Sequence, residues 1–435
     1  MDNNILSYLL KNFCLIYKLD DSILLDISYS SSSKIHIKKG NKEINKKGSV
    51  IKKKWDGTNV YFFHNEKDLG EIIKRKENGN ITVNYDIIAS SFYLLSGEQE
   101  ISNSKKDEYG RFIYSNSIQK RYDICKLPLV NYYFDILKTA IEIAYNLKIE
   151  FNHSSTATLT HDIDEVTSAW KHRARILFNS NKKAAGIVSI IKHFIKPFTP
   201  WKNLMELNHF YTNKKINATF FFLTKNNKVG NIKNADYRIK NSYIKNSIQE
   251  LSANKHEIGI HGSYRTHDNL KVFIDECNEI PVKVEGGRFH FLQFDMNKTP
   301  ETIQKSGLTY DTTLGFQEHI GFRNGICTPF YLYNFETKKA VDFIEIPLNI
   351  MDCTFAFEQY MNVSPDVALT KVNNLISEIK KFNGNVCVNW HNTFYSDYLY
   401  PEWKKTYQEI VVKLVAEGFI FLTCTELTKE YGDNN

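Results

Sequence analysis

Cysteine is sparse and scattered along the 435-residue chain: Cys14, Cys125, Cys277, Cys327, Cys353, Cys387 and Cys424 form no C-x-x-C pair. Such spacing excludes a disulfide framework and a thiolate zinc ribbon, and fits reduced thiols in an intracellular protein. Long apolar runs are missing too; no stretch reaches the ~18 residues that a membrane-spanning helix needs. The first seventeen residues lack a basic lead segment and a small-residue cleavage site, so the expected location is cytoplasmic. Neither sign of charge dominates: 56 Lys and Arg against 49 Asp and Glu leave +7, which reads as spread along the chain and predicts no nucleic-acid partner. Repeats and low-complexity tracts are absent. What remains is 42% apolar, 14% aromatic and 24% charged, the composition of a folded globular protein of two or three domains.

The rhythm of the sequence changes near residue 150. Before it, short strand-like runs such as Asn59–Phe63 mix with helical patterns around Ile87–Leu95 and Leu129–Leu147. After it, apolar β-rich runs alternate with helical stretches at the spacing of βαβ units. The runs are Ala157–Thr160, Ala218–Leu223, Glu257–His261, Val282–Arg288, Tyr310–Leu314, Phe343–Pro347, Val386–His391 and Phe419–Thr423. The pattern predicts an α/β protein: a smaller α+β N-terminal domain over 1–150, then a distorted (β/α) barrel of about seven parallel strands over 151–435. Barrel chemistry gathers at the carboxyl ends of strands. Polar residues end these runs: His161, Asp162 and Asp164, then His261, then Arg288 and His290, then His391.

Asp162 and Asp164 are two apart after a β-run, so extended backbone points both carboxylates the same way. Two like charges held so close call for a cation between them, although a D-x-D alone is more often a helix-capping turn. His261 ends the third run as a metal-ligand candidate. Arg288 and His290 share a face by period two, and His391 is an imidazole suited to proton donation near neutral pH.

Taken together, these segments resemble the polysaccharide deacetylase family, the NodB-homology carbohydrate esterases, over roughly 155 to 430. The likeness rests on Leu159-Thr160-His161-Asp162-Ile163-Asp164, Ala218-Thr219-Phe220-Phe221-Phe222, His256-Glu257-Ile258-Gly259-Ile260-His261, Gly287-Arg288-Phe289-His290-Phe291 and Trp390-His391. Tyr85–Tyr132 is similar to the N-terminal domain that accompanies one bacterial branch of that family.

The resemblance implies a metal-dependent hydrolase that removes an acetyl group from an N- or O-acetylated sugar or polysaccharide, with Zn2+ as the expected cofactor. Carried over position by position, Asp164 and His261 become metal ligands, Asp162 the base, Arg288 the residue that orients it, and His391 the acid. The family's second ligand histidine falls on Arg265, which cannot bind a cation. His290 is the preferred replacement, at a strand end beside the pocket; His267 is the other candidate, and a site with only two protein ligands a third possibility. Trp390 and Phe291 are candidate sugar-stacking residues, as are Trp170, Phe289 and Phe316. The loop-rich stretch from Gly315 to Pro329 reads as a lid or substrate wall. For an intracellular protein the expected substrate is an N-acetyl sugar on a nucleotide or lipid carrier. Two other functions fit parts of the pattern: a non-catalytic carbohydrate-binding or scaffold relative in surface-polysaccharide synthesis, and a glycoside hydrolase drawing on Glu285 or Glu345.

Overall fold

The structure, a computed structural model, describes residues 3–41, 44, 50–103, 105–195 and 199–432. Among the described residues six short strands precede residue 150: β1 (Ile27–Ser28), β2 (Ile35–Ile37), β3 (Ile51–Trp55), β4 (Thr58–Phe62), β5 (Ile73–Arg75) and β6 (Ile81–Val83). Strands β1, β2, β6 and β5 lie side by side in one sheet, while β3 and β4 pair as a hairpin. That hairpin turns on Asp56 and Gly57, both at positive φ, as a two-residue hairpin turn requires. Helix Leu129–Tyr145 packs its apolar face, including Val130, Tyr133 and Leu137, into the same core.

From residue 156 the chain builds β7 (Thr156–Ile163), β8 (Thr219–Phe222), β9 (Lys228–Val229), β10 (Ile232–Lys233), β11 (Glu257–Gly262) and β12 (Gly286–Phe289). There follow β13 (Tyr310–Asp311), β14 (Phe330–Asn334), β15 (Lys339–Glu345), β16 (Ile350–Met351), β17 (Asn385–Asn389) and β18 (Ile420–Phe421). Nine of them follow one path, β14-β15-β13-β12-β11-β8-β7-β17-β16, with β18 joined to β7. All neighbours in this sheet are parallel except β14 and β15. The expectation of a seven-strand barrel is therefore corrected: among the described residues no ladder joins β14 to β16, and the sheet stays open. Strand β14 breaks the βα rhythm because a short turn, not a helix, links it to β15.

Every residue of β7 is buried, and its three threonines suit a pleated interior strand. The Asn385 side chain ties the sheet by accepting hydrogen bonds from Thr156 (3.0 Å) and Thr158 (2.9 Å). Helices Pro365–Lys380 and Pro401–Ala416 begin on proline, whose missing N–H costs nothing in a first turn. Gly286 and Gly287 let β12 sit tightly between its neighbours. A Cβ on the first would lie 2.4 Å from the Tyr310 ring, and one on the second 2.4 Å from the Ile260 carbonyl oxygen.

The stretch from Gly315 to Pro329, expected as a lid or substrate wall, packs against the first half of the chain. Phe322 donates from its backbone to the Cys125 carbonyl (2.8 Å), and the Cys327 N–H donates to Asn131 (2.9 Å). Arg323, buried, donates through Nε and Nη2 to the Glu100 carboxylate at 2.8 and 2.6 Å. Gln317 is the part of this stretch that reaches the cavity described next.

Candidate metal centre and active site

At the carboxyl ends of the central strands lies a cavity of about 360 Å³, within the roughly 300–1,000 Å³ usual for small-molecule sites. Strand register sets its floor. Period two sends Asp162 and Asp164 to the cavity side of β7 and His161 to the other. Pairing of His261 with Arg288 across β11 and β12 brings the imidazole and guanidinium to the same level.

Asp164, His261 and His290 each offer a ligand atom, and these atoms lie within 4.8 Å of one another. His261 Nε2 stands 3.3 Å from Asp164 Oδ1, and His290 Nε2 stands 3.6 Å from Asp164 Oδ2. The Nδ1 of His261 meets the Arg288 carbonyl at 2.8 Å, which leaves Nε2 free to face the cavity. Such a backbone partner fixes the tautomer of a ligating histidine. Asp164 Oδ1 is buried and accepts no hydrogen bond. One carboxylate and two imidazoles with an unmatched inward oxygen suit a divalent cation, and three ligands leave the open position of a catalytic site. Burial alone would raise the Asp164 carboxyl; His290 and His261 beside it hold it well below the carboxylate range.

His267 lies elsewhere, in a shallow surface pocket with Asp268 and Tyr264. Arg265 stands in that same pocket, with its backbone in the left-handed region (φ 66°).

Asp162 is held from two sides: Arg288 Nη1 donates to Oδ1 at 2.9 Å and Asn389 Nδ2 to Oδ2 at 2.8 Å. Its desolvation would raise the carboxyl, but the Arg288 guanidinium together with His261 and His391 keeps Asp162 below its ordinary value. Arg288 is wholly buried, its Nε and Nη2 donating to the carbonyl and hydroxyl of Thr312 at 2.9 and 3.2 Å. His391 Nε2 points at Asp164 Oδ2 from 3.6 Å. Behind it, Nδ1 pairs with Asp352 Oδ1 at 2.8 Å, and the His391 N–H donates to Asp352 Oδ2 at 2.5 Å. Burial disfavours the imidazolium, yet the charge and hydrogen bond of Asp352, together with Cys353, raise His391 well above the usual histidine value. Asp352, Cys353 and His391 also cluster, but the Cys353 thiol is pushed up to about 12 by burial and stays protonated. Within that cluster Asp352 fixes the orientation of the His391 ring.

The sequence reading missed Asp352, Asn389 and two residues from the N-terminal half, Tyr109 and Arg111. Asp352 follows β16, a two-residue strand with no pattern of its own. Tyr109 stacks on Phe291 (4.8 Å between centroids, 9° between planes), and both line the cavity. Arg111 Nη1 donates to the Phe291 carbonyl at 2.9 Å. Phe291 and Leu292 both have positive φ, 61° and 54°, a conformation that side chains with a Cβ rarely adopt unless held there.

Several expected residues are not in the cavity. Trp390 is fully buried against Tyr407 and Trp403 on the outer side of β17, so it cannot stack on a ligand. Phe289 packs on Phe273, and Phe316 packs on Tyr114. Trp170 stacks on His193 away from the floor. Phe291, Phe357, Tyr360 and Tyr400 supply the aromatic walls instead. His161 is pinned between the Trp390 carbonyl and the Tyr211 hydroxyl, each at 2.5 Å. Burial pushes it down to about 3, so it is a neutral structural residue. Glu345 is buried under Leu314, and Glu285 sits at the amino end of β12 paired with Lys283. Neither Glu285 nor Glu345, the carboxylates a glycoside hydrolase would draw on, lines the cavity.

Residues 7–146 match a family of unknown function, DUF7033. No curated protein matches the chain in sequence. Among solved structures, a candidate polysaccharide deacetylase of Mycobacterium smegmatis is 14% identical with a TM-score of 0.44, covering 64% of this chain and 91% of that one. Puue allantoinase is 11% identical with a TM-score of 0.42, over 65% and 91%. A pseudoenzyme of the CE4 family from Bacillus anthracis is 12% identical with a TM-score of 0.33, over 64% and 66%.

Proposed function

We propose that the chain is a metal-dependent hydrolase that removes an acetyl group from an acetylated sugar. The observation that carries this reading is the convergence of three units on one cavity floor: the Asp164, His261 and His290 trio, Asp162 clamped by Arg288, and His391 backed by Asp352. A divalent cation, zinc by choice of ligands, would be held by the trio and would supply Lewis acidity toward water and the acetyl carbonyl. Asp162, ionised and fixed by two donors, takes a proton from the attacking water. Arg288 and Asn389 keep its oxygens aimed at the cavity. His391, kept protonated by Asp352, donates to the departing amine or alcohol. Tyr109, Phe291, Tyr360 and Tyr400 offer flat faces for a sugar ring.

We also read the chain as two parts dividing near residue 150, with residues 151–435 bearing the chemistry; the DUF7033 match over 7–146 supports that division. Elemental analysis of the purified protein and its variants tests the assignment. About one divalent metal per chain is expected, lost in Asp164→Ala and His290→Ala and retained in His267→Ala and Asp162→Asn. Absence of metal after reconstitution would shift the reading to a non-catalytic carbohydrate-binding relative.

A further inference from the structure

The formal charge of the chain is not evenly spread, contrary to the sequence reading. Between Glu165 and Glu206 there is no Asp or Glu, while Lys171, Arg173, Arg175, Lys182, Lys183, Lys192, Lys196 and Lys202 give +8 against a whole-chain excess of +7. Most of this stretch is a helical hairpin, Ala169–Asn179 and Lys183–Ile195. The same hairpin is where the surface is most apolar. Of fourteen large apolar side chains exposed among the described residues, seven lie here: Ile176, Phe178, Ile187, Val188, Ile191, Phe194 and Ile195. Phe194 and Ile195 are 73% and 78% exposed.

The pattern is directional. Ile187, Val188, Ile191, Phe194 and Ile195 recur at helical spacing and form one stripe. The opposite side of that helix is occupied: Gly186 abuts Phe178, and His193 stacks on Trp170 at 4.8 Å. Lys183 and Lys192 border the stripe and are exposed, as are Lys182 in the turn and Lys171, Arg173 and Arg175 on the companion helix. Long basic side chains around an apolar stripe bury their stems and keep their charges in the headgroup layer. The second helix has thirteen residues, about 20 Å of helix against the ~30 Å of a bilayer core. It can therefore lie on a membrane and not cross one.

We propose that this hairpin docks the protein on a leaflet of anionic phospholipid. Charge decides between possible occupants: a second copy would set six exposed cations of one hairpin against six of the other, whereas an anionic leaflet answers both the cations and the apolar stripe. The hairpin also borders the cavity. His172, from its first helix, lines the cavity beside Glu165 and Trp201, and pairs with Glu165 at 2.8 Å. Docking thus places the cavity mouth at the bilayer surface, where it would meet a sugar carried on a membrane lipid. That last step rests on the hydrolase reading; the docking itself does not.

Flotation of the full chain with vesicles tests docking without substrate or metal. With phosphatidylcholine containing about 30% phosphatidylglycerol, the protein is expected to float at 0.1 M salt, to dissociate at 1 M salt as the Debye length falls to about 3 Å, and to ignore pure phosphatidylcholine. The triple change Ile191→Ser, Phe194→Ser, Ile195→Ser, and separately Lys171→Gln, Arg175→Gln, Lys183→Gln, should each cut the bound fraction about tenfold, with helicity and metal content unchanged. Wild type that fails to float on the anionic vesicles, or floats equally after both sets of changes, overturns the proposal. A concentration-dependent dimer that dissolves with the serine changes, without vesicle binding, assigns the face to a second copy and equally overturns it.

Discussion

The buried pair between Glu100 and Arg323 invites a quantitative test, because it ties the N-terminal half to the large sheet. Both side chains are only 2% exposed, and the fork-to-carboxylate contacts are 2.6 and 2.8 Å. At an effective dielectric near 20, attraction at that separation is about 6 kcal/mol, and desolvating two ions costs several kcal/mol each. The net worth of the pair is therefore small, while the cost of breaking it is not. Glu100→Ala would leave the guanidinium buried with the Gly315 backbone carbonyl, 3.1 Å from Nη1, as its remaining hydrogen-bond acceptor among the described residues. A loss of about 3–5 kcal/mol is expected, seen as a Tm lower by roughly 5–10 °C. The double change Glu100→Leu, Arg323→Met should recover most of it. Thermal denaturation of the three proteins at one scan rate is the assay. If Glu100→Ala costs under about 1 kcal/mol, or the double variant is no better than the single, the pair is not a desolvated bridge and the reasoning fails.

Three further outcomes are expected. Asp352→Asn should keep the metal but lower the His391 pKa, so that the alkaline limb of the rate profile moves to lower pH and turnover near neutrality falls by about 10²–10⁴; an unmoved limb would exclude His391 as the acid. Burial raises Asp311 to about 6, and burial plus Asp311 raises Glu345 well above the usual carboxylate value. The folded protein then keeps protons that the unfolded chain releases, so their stabilisation is full below the ordinary carboxylate pKa and fades as pH rises through about 6. Glu345→Gln should flatten that decline, and Tm measured at pH 5 and pH 8 reads it. Gly287→Ala should cost about 1–3 kcal/mol by forcing β11 and β12 apart, and should slow turnover by moving Arg288 off Asp162; wild-type activity in that variant would show that the spacing of the two strands is not critical.

Much of the sheet was legible because its strands are short apolar runs followed by helices of clear periodicity. Strands β7, β8, β11, β12, β13, β15, β17 and β18 overlap the eight runs read from the sequence. Strand β14 was not visible: Phe330–Asn334 is an aromatic run whose partner arrives after a turn, outside the βα rhythm. Residues two apart on a strand, such as Asp162 and Asp164, could be placed on one face from periodicity alone. The choice of His290 over His267 followed from strand-end placement, and the geometry brings His290 to Asp164. Asp352 and Tyr109 were out of reach because each enters the cavity from an irregular segment, and what places it is a long-range contact. Trp390 misled because adjacency to His391 in sequence is opposition in a strand.

The left-handed bend at Phe291 and Leu292 decides which part of the chain shapes one wall of the cavity. It is gripped from outside the large sheet, by the Tyr109 ring and the Arg111 guanidinium. One wall of the cavity is thus on loan from a segment that carries none of the reactive groups. Changes at Tyr109 or Arg111 would therefore reshape the cavity mouth without altering Asp162, Asp164, His261, His290 or His391. The shape of the cavity mouth and the polar groups on its floor thus come from different stretches of the chain, which meet here at a strained turn.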